Sequence, residues 1–226
     1  MIENLKENII GEIISLSFIL LTFTIAIPLY RIKPEYSRKE IHIMLGNFYF
    51  IALIYFTKWY FACLGPFVFI FVNYFSVKYQ IIKVMLRHES EKNNLKIKKE
   101  YGTVYYAISL TILTIYSWAK NRPDIGLCPF LSMSFGDGLA CIIGGAIKSP
   151  YRIIFGSKKS LAGSLTMFLI SYILFSIYFW FYNDYFWIIK GYFMGLCSML
   201  LEAFSPYGTD NLIVPLCNLF VVSFLV

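Results

Sequence analysis

Residues 9–29 run as one apolar stretch with a single charge, Glu12. A bilayer core takes about 20 residues of α-helix to cross, so this stretch is one crossing long. Seven more apolar runs follow, at 43–57, 59–77, 104–119, 125–147, 161–181, 186–204 and 212–226. With 58% hydrophobic residues and 15% charged, a water-soluble fold of 226 residues has too little interior to hide them. The runs are continuously apolar and lack the alternation of a membrane β-barrel. The pattern predicts an all-α fold, a polytopic transmembrane bundle of about eight helices with short loops and no soluble domain. Residues 1–226 are expected to form one integral membrane domain with a hydrophilic loop at about 78–103. After the first run comes Tyr30-Arg31-Ile32-Lys33-Pro34, not a small-residue cleavage pattern, so an uncleaved helix is expected.

The 20 Lys and Arg residues alternate between the segments that join the runs. With eight crossings, 15 fall on one side and five on the other. The positive-inside bias puts the richer side in the cytoplasm and both termini outside, in a multi-pass protein of the cell membrane. The net charge of +7 is thereby a topology signal, and no nucleic-acid partner is expected. The stretch from Ile81 to Arg87 in the long loop either lies along the membrane surface or belongs to a solvated, lipid-facing basic loop. Five cysteines lie in apolar runs without CxxC spacing, which predicts buried thiols and neither disulfides nor a zinc site.

Four polar clusters break the apolar pattern, and ionisable groups in such places are costly enough to mark function. Ser37-Arg38-Lys39-Glu40-Ile41-His42 leads into Gly46. On a helix Arg38 and Lys39 share a face with His42, a candidate phosphate site. Ser134-Phe135-Gly136-Asp137-Gly138 carries a carboxylate deep in a run, with Gly136, Ala140 and Gly144 spaced for close helix packing. Lys158-Lys159-Ser160 opens the sixth run, with Ser160 a candidate cap and the lysines beside a helix N-terminus suited to phosphate. Glu202 and Asp210-Asn211 flank a turn, and their hard oxygens suit Mg²⁺. Cations for phosphate and carboxylates for metal are the parts of phosphoryl transfer.

Taken in order, Arg38-Lys39-x-x-His42, Gly136-Asp137-Gly138-x-Ala140 with Gly144, Lys159-Ser160-x-x-Gly163-Ser164, and Glu202 followed by Asp210-Asn211-x-x-x-Pro215 resemble the membrane polyprenol kinase family. That family includes phytol kinase, dolichol kinase and CTP-dependent diacylglycerol kinase. The resemblance implies transfer of a nucleotide γ-phosphate, usually from CTP, to the hydroxyl of a lipid alcohol, with Mg²⁺ and a cytoplasmic nucleotide site. It points to Asp137, Glu202 and His42 as catalytic, to Arg38, Lys39, Lys158, Lys159 and Ser160 as phosphate-binding, and to Asp137, Asp210 and Asn211 as metal ligands. The family often has two consecutive acids where Thr209 and Asp210 stand here, so a second metal carboxylate has to come from Glu202 or Asp137. A phosphatidate cytidylyltransferase and a transporter without chemistry are the alternatives. The former's Lys-Asp and His-Gly-Gly signatures are absent from the sequence.

Overall fold

The computed structural model describes residues 2–91, 94–98, 100–147, 149–152 and 158–226. The side chains of residues 2–4, 35, 87–99 and 150–158 lie outside the description. The chain folds as a helical bundle. Helix α1 spans Ile2–Ile32, α2 Pro34–Gly46, α3 Phe48–Tyr55 and α4 Trp59–Tyr79. A 3₁₀ turn at Lys83–Met85 precedes an antiparallel hairpin of β1 (Arg87–Glu91) and β2 (Asn94–Lys98). Then come α5 (Gly102–Ala119), a 3₁₀ turn at Pro123–Gly126, α6 (Leu127–Leu131), a π-helical turn at Ser132–Asp137, and α7 (Gly138–Ala146). A second hairpin, β3 (Pro150–Arg152) with β4 (Lys158–Ser160), leads to α8 (Leu161–Phe181), α9 (Trp187–Phe204) and α10 (Asp210–Leu225).

Five helical stretches are long and apolar enough to cross a membrane: 5–32, 59–79, 123–146, 161–181 and 187–204. The second apolar run is two helices, α2 and α3, joined at Asn47, and it begins nine residues earlier than its apolar pattern. Pro34 starts α2 at the position where a missing N–H costs nothing. The amphipathic first half of that helix hid the start.

Contacts between distant residues sort into two ends. At one, Asn8 donates to Thr57 (2.9 Å), Trp118 to the Phe56 carbonyl (3.1 Å), and Lys190 to the Leu225 carbonyl (2.8 Å). At the other, Asn73 donates to the Thr103 carbonyl (2.9 Å), an ion pair joins α2 to the π turn, and Lys159 of β4 joins the end of α9 to the start of α10. The chain therefore runs back and forth between these ends.

The bundle is apolar outside and polar within. Leu16, Leu20, Phe71, Leu169 and Phe193 face outward, whereas Ser109, Thr114, Ser132, Ser171, Ser198 and Asn218 are buried. Ser132 and Ser171 share a 2.6 Å hydrogen bond, and Asn218 donates to Ser198 at 2.8 Å. Helices in lipid gain little from apolar contact with each other, so such links and close packing hold them. Gly136, Ala140 and Gly144 all face α8. A Cβ on Gly136 would stand 2.5 Å from Met167 Sδ, and one on Gly163 would stand 2.9 Å from the Ala140 carbonyl.

Two expectations are corrected. The stretch after Ile81 turns inward: Met85 and Leu86 are buried, Met85 clusters with Ala26 and Ile41, and Ser37 donates to the Val84 carbonyl (3.0 Å). A carbonyl bonded to the adjacent helix holds this segment better than the membrane surface would. Cys63 and Cys128 are buried, but Cys141 and Cys217 are exposed on the outer face. A thiol is apolar enough to face lipid, so lying in an apolar run did not fix its burial.

The close approach of α7 to α8 gives a direct test. Gly136→Leu should destabilise the protein by about 1–3 kcal/mol through overpacking against Met167. Thermal unfolding in detergent micelles reads this, and a midpoint equal to that of the parent protein would contradict the packing.

Candidate active site

Lys39 and His42 lie three apart on α2 and face the same way. A Cβ on Gly46, one turn further, would stand 2.7 Å from Ser134 Cβ, so the absence of a side chain lets α2 press on the π turn. That turn ends at Asp137. π turns carry one extra residue per turn and are frequent at functional sites. Here the turn presents Asp137 to α2, where Lys39 Nζ meets its Oδ2 at 2.5 Å and His42 Nε2 lies 3.4 Å from the same oxygen. His42 is fixed by the Met133 carbonyl (3.3 Å), and Tyr106 of α5 packs on its ring at 4.4 Å between centroids. The Tyr106 hydroxyl donates to the His42 carbonyl (3.1 Å) and shares a hydrogen bond with Ser134 (3.0 Å).

Ser160 caps α8, its Oγ accepting from the Gly163 N–H at 3.1 Å. The residue before it, Lys159, reaches across to Glu202 in an ion pair and lies 3.4 Å from Asp210 Oδ2. Burial works against the charge on Lys159, but Asp210 and Glu202 together outweigh it and hold its ammonium group well above the usual lysine range. Glu202 sits near the end of α9. The turn after it uses two left-handed residues, Tyr207 (φ 52°) and Gly208 (φ 82°). A Cβ on Gly208 would stand 3.0 Å from the Gly102 Cα, so glycine is required there for shape as well as for φ. This turn sets Asp210 in the first turn of α10, where the helix dipole favours a negative charge.

Asp137, Glu202 and Asp210 therefore converge from three parts of the chain, with one oxygen from each within 4.8 Å of the others. All three are buried. Glu202 Oε2 and Asn211 Oδ1 are buried without hydrogen-bond partners. Three carboxylates face Lys39 and Lys159, Glu202 keeps an unpartnered oxygen, and the donors are hard oxygens. This set fits a divalent cation of the Mg²⁺ type. A Cβ on Gly102 would meet Asn211 Nδ2 at 3.1 Å and Arg38 Nη1 at 3.6 Å, so Arg38 and Asn211 come together beside the acids.

The structure thus gathers Arg38, Lys39, His42, Asp137, Lys159, Ser160, Glu202, Asp210 and Asn211 at one end of the bundle. The Lys158 side chain lies outside the described residues. Lys39 and Lys159, expected as phosphate ligands, are each bonded to a carboxylate. Tyr106 and Ser134 were missed. A tyrosine hydroxyl in the apolar run 104–119 needs a buried partner, and that was the available signal.

Removing Asp137 would leave the Lys39 charge buried and unpaired. Asp137→Ala should cost about 3–5 kcal/mol of stability, and the pair Lys39→Leu with Asp137→Leu should recover most of it. Unfolding midpoints of the single and double variants check this.

Comparison with known proteins gives a consistent set of relatives. The chain is 31% identical to a phytol kinase of Synechocystis over 121 residues, which is 53% of this chain and 52% of that protein. It is 29% identical to phytol kinase 1, chloroplastic, of Arabidopsis thaliana over 153 residues, 62% of this chain and 47% of the relative. It is 36% identical to the chloroplastic farnesol kinase of Arabidopsis thaliana over 95 residues, 41% of this chain and 27% of the relative. The chain spans about half the length of the first of these curated relatives. No family model matches the chain, and no solved structure does. The relatives that the chain resembles are thus named as kinases of phytol and farnesol.

Proposed function

We propose that the protein is a lipid-alcohol kinase that moves the γ-phosphate of a nucleoside triphosphate, CTP in our reading, to the primary hydroxyl of a phytol-like or polyprenol alcohol. The observation that carries this is the convergence of Asp137, Glu202 and Asp210 with Lys39, Lys159 and Arg38 at one end of an apolar bundle. Kinases named for phytol and farnesol among the relatives support an isoprenoid alcohol over diacylglycerol. The choice of CTP rests on the family resemblance. The excess of Lys and Arg on the side that carries these residues supports a cytoplasmic site, with the N-terminus outside the cell membrane.

In this reading Asp137 and Asp210 would hold Mg²⁺, with Glu202 and Asn211 Oδ1 beside them, and the ion when bound would supply positive charge for the phosphates. Arg38, Lys158 and Lys159 bind the triphosphate oxygens, and Lys39 keeps Asp137 ionised. Ser160 fixes the start of α8, so that Lys159 stays in place. His42, held by Met133 and Tyr106, takes the proton of the alcohol. The alcohol oxygen then bonds to the γ-phosphorus, the bond from that phosphorus to the bridging oxygen breaks, and the nucleoside diphosphate leaves with the electron pair.

Purified protein in detergent, given γ-labelled CTP or ATP, Mg²⁺ and a panel of isoprenoid alcohols, should transfer label to lipid. Asp137→Asn and Asp210→Asn should each lower kcat by at least about 10²-fold, the scale of losing one electrostatic stabiliser. Chelating Mg²⁺ should stop transfer. Release of pyrophosphate with phosphatidic acid instead would identify a cytidylyltransferase, and full activity in Asp137→Asn would remove that residue from the site.

A further inference from the structure

A cavity of about 250 Å³ lies between α1, α2, α4 and α5. Its wall is apolar over most of its extent, with Leu45, Phe48, Pro66 and Leu110 among the lining residues. It opens sideways. Leu16 on α1 and Leu64 and Val68 on α4 form its rim, and all three are exposed on the outer face that lipid would cover.

One end of this cavity abuts the acid cluster by two routes. His42 lines it, and the same ring lies 3.4 Å from Asp137. Asn73 and Thr103 also line it, and Thr103 follows Gly102, the point where Arg38 and Asn211 meet. Asn73 is 3% exposed. Its Nδ2 is satisfied by the Thr103 carbonyl, but its Oδ1 is buried with no donor. A buried acceptor left unpaired is costly, so a hydroxyl that reaches it relieves that cost. Glu12 Oε1 and Ser15 Oγ are also unpartnered and line the α1 wall. Of these polar groups, Asn73 is the one bonded to Thr103, next to the point where Arg38 and Asn211 meet.

We propose that this cavity binds the isoprenoid tail of the acceptor alcohol, which enters from the bilayer between α1 and α4 and places its hydroxyl on Asn73 Oδ1 beside His42. An apolar cavity of about 150 Å³ takes one benzene, so this one takes on the order of ten carbons. The protein therefore reads the two isoprene units next to the hydroxyl, and a longer tail continues out past Leu16 and Leu64 into lipid. The role of the hydroxyl end rests on the kinase reading above; the tail site does not.

Gly65 provides the test. It lines the cavity on α4, and a Cβ there would meet nothing closer than the Phe48 ring at 4.0 Å. Gly65→Leu therefore fills the cavity, and because Pro66 follows it in α4 the unfolding midpoint of the variant is measured alongside to show that the helix is kept. Two measurements on the detergent-solubilised protein go together. The first is labelling by a ten-carbon isoprenoid alcohol with a diazirine on its tail, mapped by mass spectrometry. The second is phosphate transfer to the ten-carbon and twenty-carbon alcohols. Label is expected on α1 and α4 around the rim in the parent protein and is expected to be lost in Gly65→Leu. The KM for both alcohols should rise at least about tenfold in that variant, the scale of a misfit in an apolar pocket, with the KM for nucleotide unchanged. Asn73→Leu should lower kcat/KM for alcohol by about tenfold and keep the tail label. Labelling at the rim that Gly65→Leu abolishes, without any transfer by the parent protein, would keep the tail site and overturn the kinase reading. Label elsewhere, or an alcohol KM unmoved by Gly65→Leu, would overturn the tail site while leaving the kinase reading in place.

Discussion

The ion pair between Lys39 and Asp137 is the constraint around which the rest is arranged. Its two side chains are 6% and 8% exposed, and an ion taken alone to that depth costs several kcal/mol. The pair persists because each partner removes the other's penalty, and because α2 and the π turn approach closely enough for a 2.5 Å contact. That approach requires Gly46 opposite Ser134 and Gly138 opposite Ile43. The glycines of the sequence are thus the geometric condition for a charged site inside an apolar bundle. Lys159 repeats the arrangement with Glu202 and Asp210. Three acids thus face two lysines, with Arg38 beside them, and Glu202 Oε2 is left without a hydrogen-bond partner.

Much of this was legible in the sequence. Run length alone gave the helical bundle, because a continuous apolar stretch of bilayer length has few other uses. The small residues Gly136, Ala140 and Gly144 gave the α7–α8 contact, since a four-residue spacing keeps one face along a helix. The sequence also singled out Asp137, Glu202 and Asp210, because carboxylates are expensive where they stand.

What was illegible depended on tertiary geometry. The π turn leaves no mark in composition, because Ser132–Asp137 reads as ordinary helix until α2 is packed against it. The pairing of Lys39 with Asp137, 98 residues apart, likewise has no local sign. Residues in the middle of apolar runs were harder still. Tyr106 and Asn73 look like incidental polar groups, and only the fold shows that one clamps His42 and the other faces a cavity. The inward turn of Met85 and Leu86 was hidden by the basic residues around them, which dominated the charge pattern of that loop.

The two halves of the bundle differ in how tightly they are held, and the difference matches what each contains. In the most apolar 18-residue stretch of 123–146, 72% of positions are buried, against 17% in that of α1. The central helix is wrapped by α8 and by the hydrogen bonds of Ser132, Ser171, Ser198 and Asn218, so Asp137 is fixed in place. A charge cluster needs this rigidity, because a loosened pair exposes two buried ions at once. Helices α1 and α4 face lipid along most of their length and enclose the cavity between them. A greasy ligand that arrives sideways needs an entrance whose walls can part, and helices that face lipid offer one. His42 stands where the two regions meet, with Asp137 on one side and the cavity on the other. A rigid polar end and a yielding apolar flank, joined at one imidazole, is the arrangement that the proposed kinase would require, with one substrate from water and the other from the bilayer.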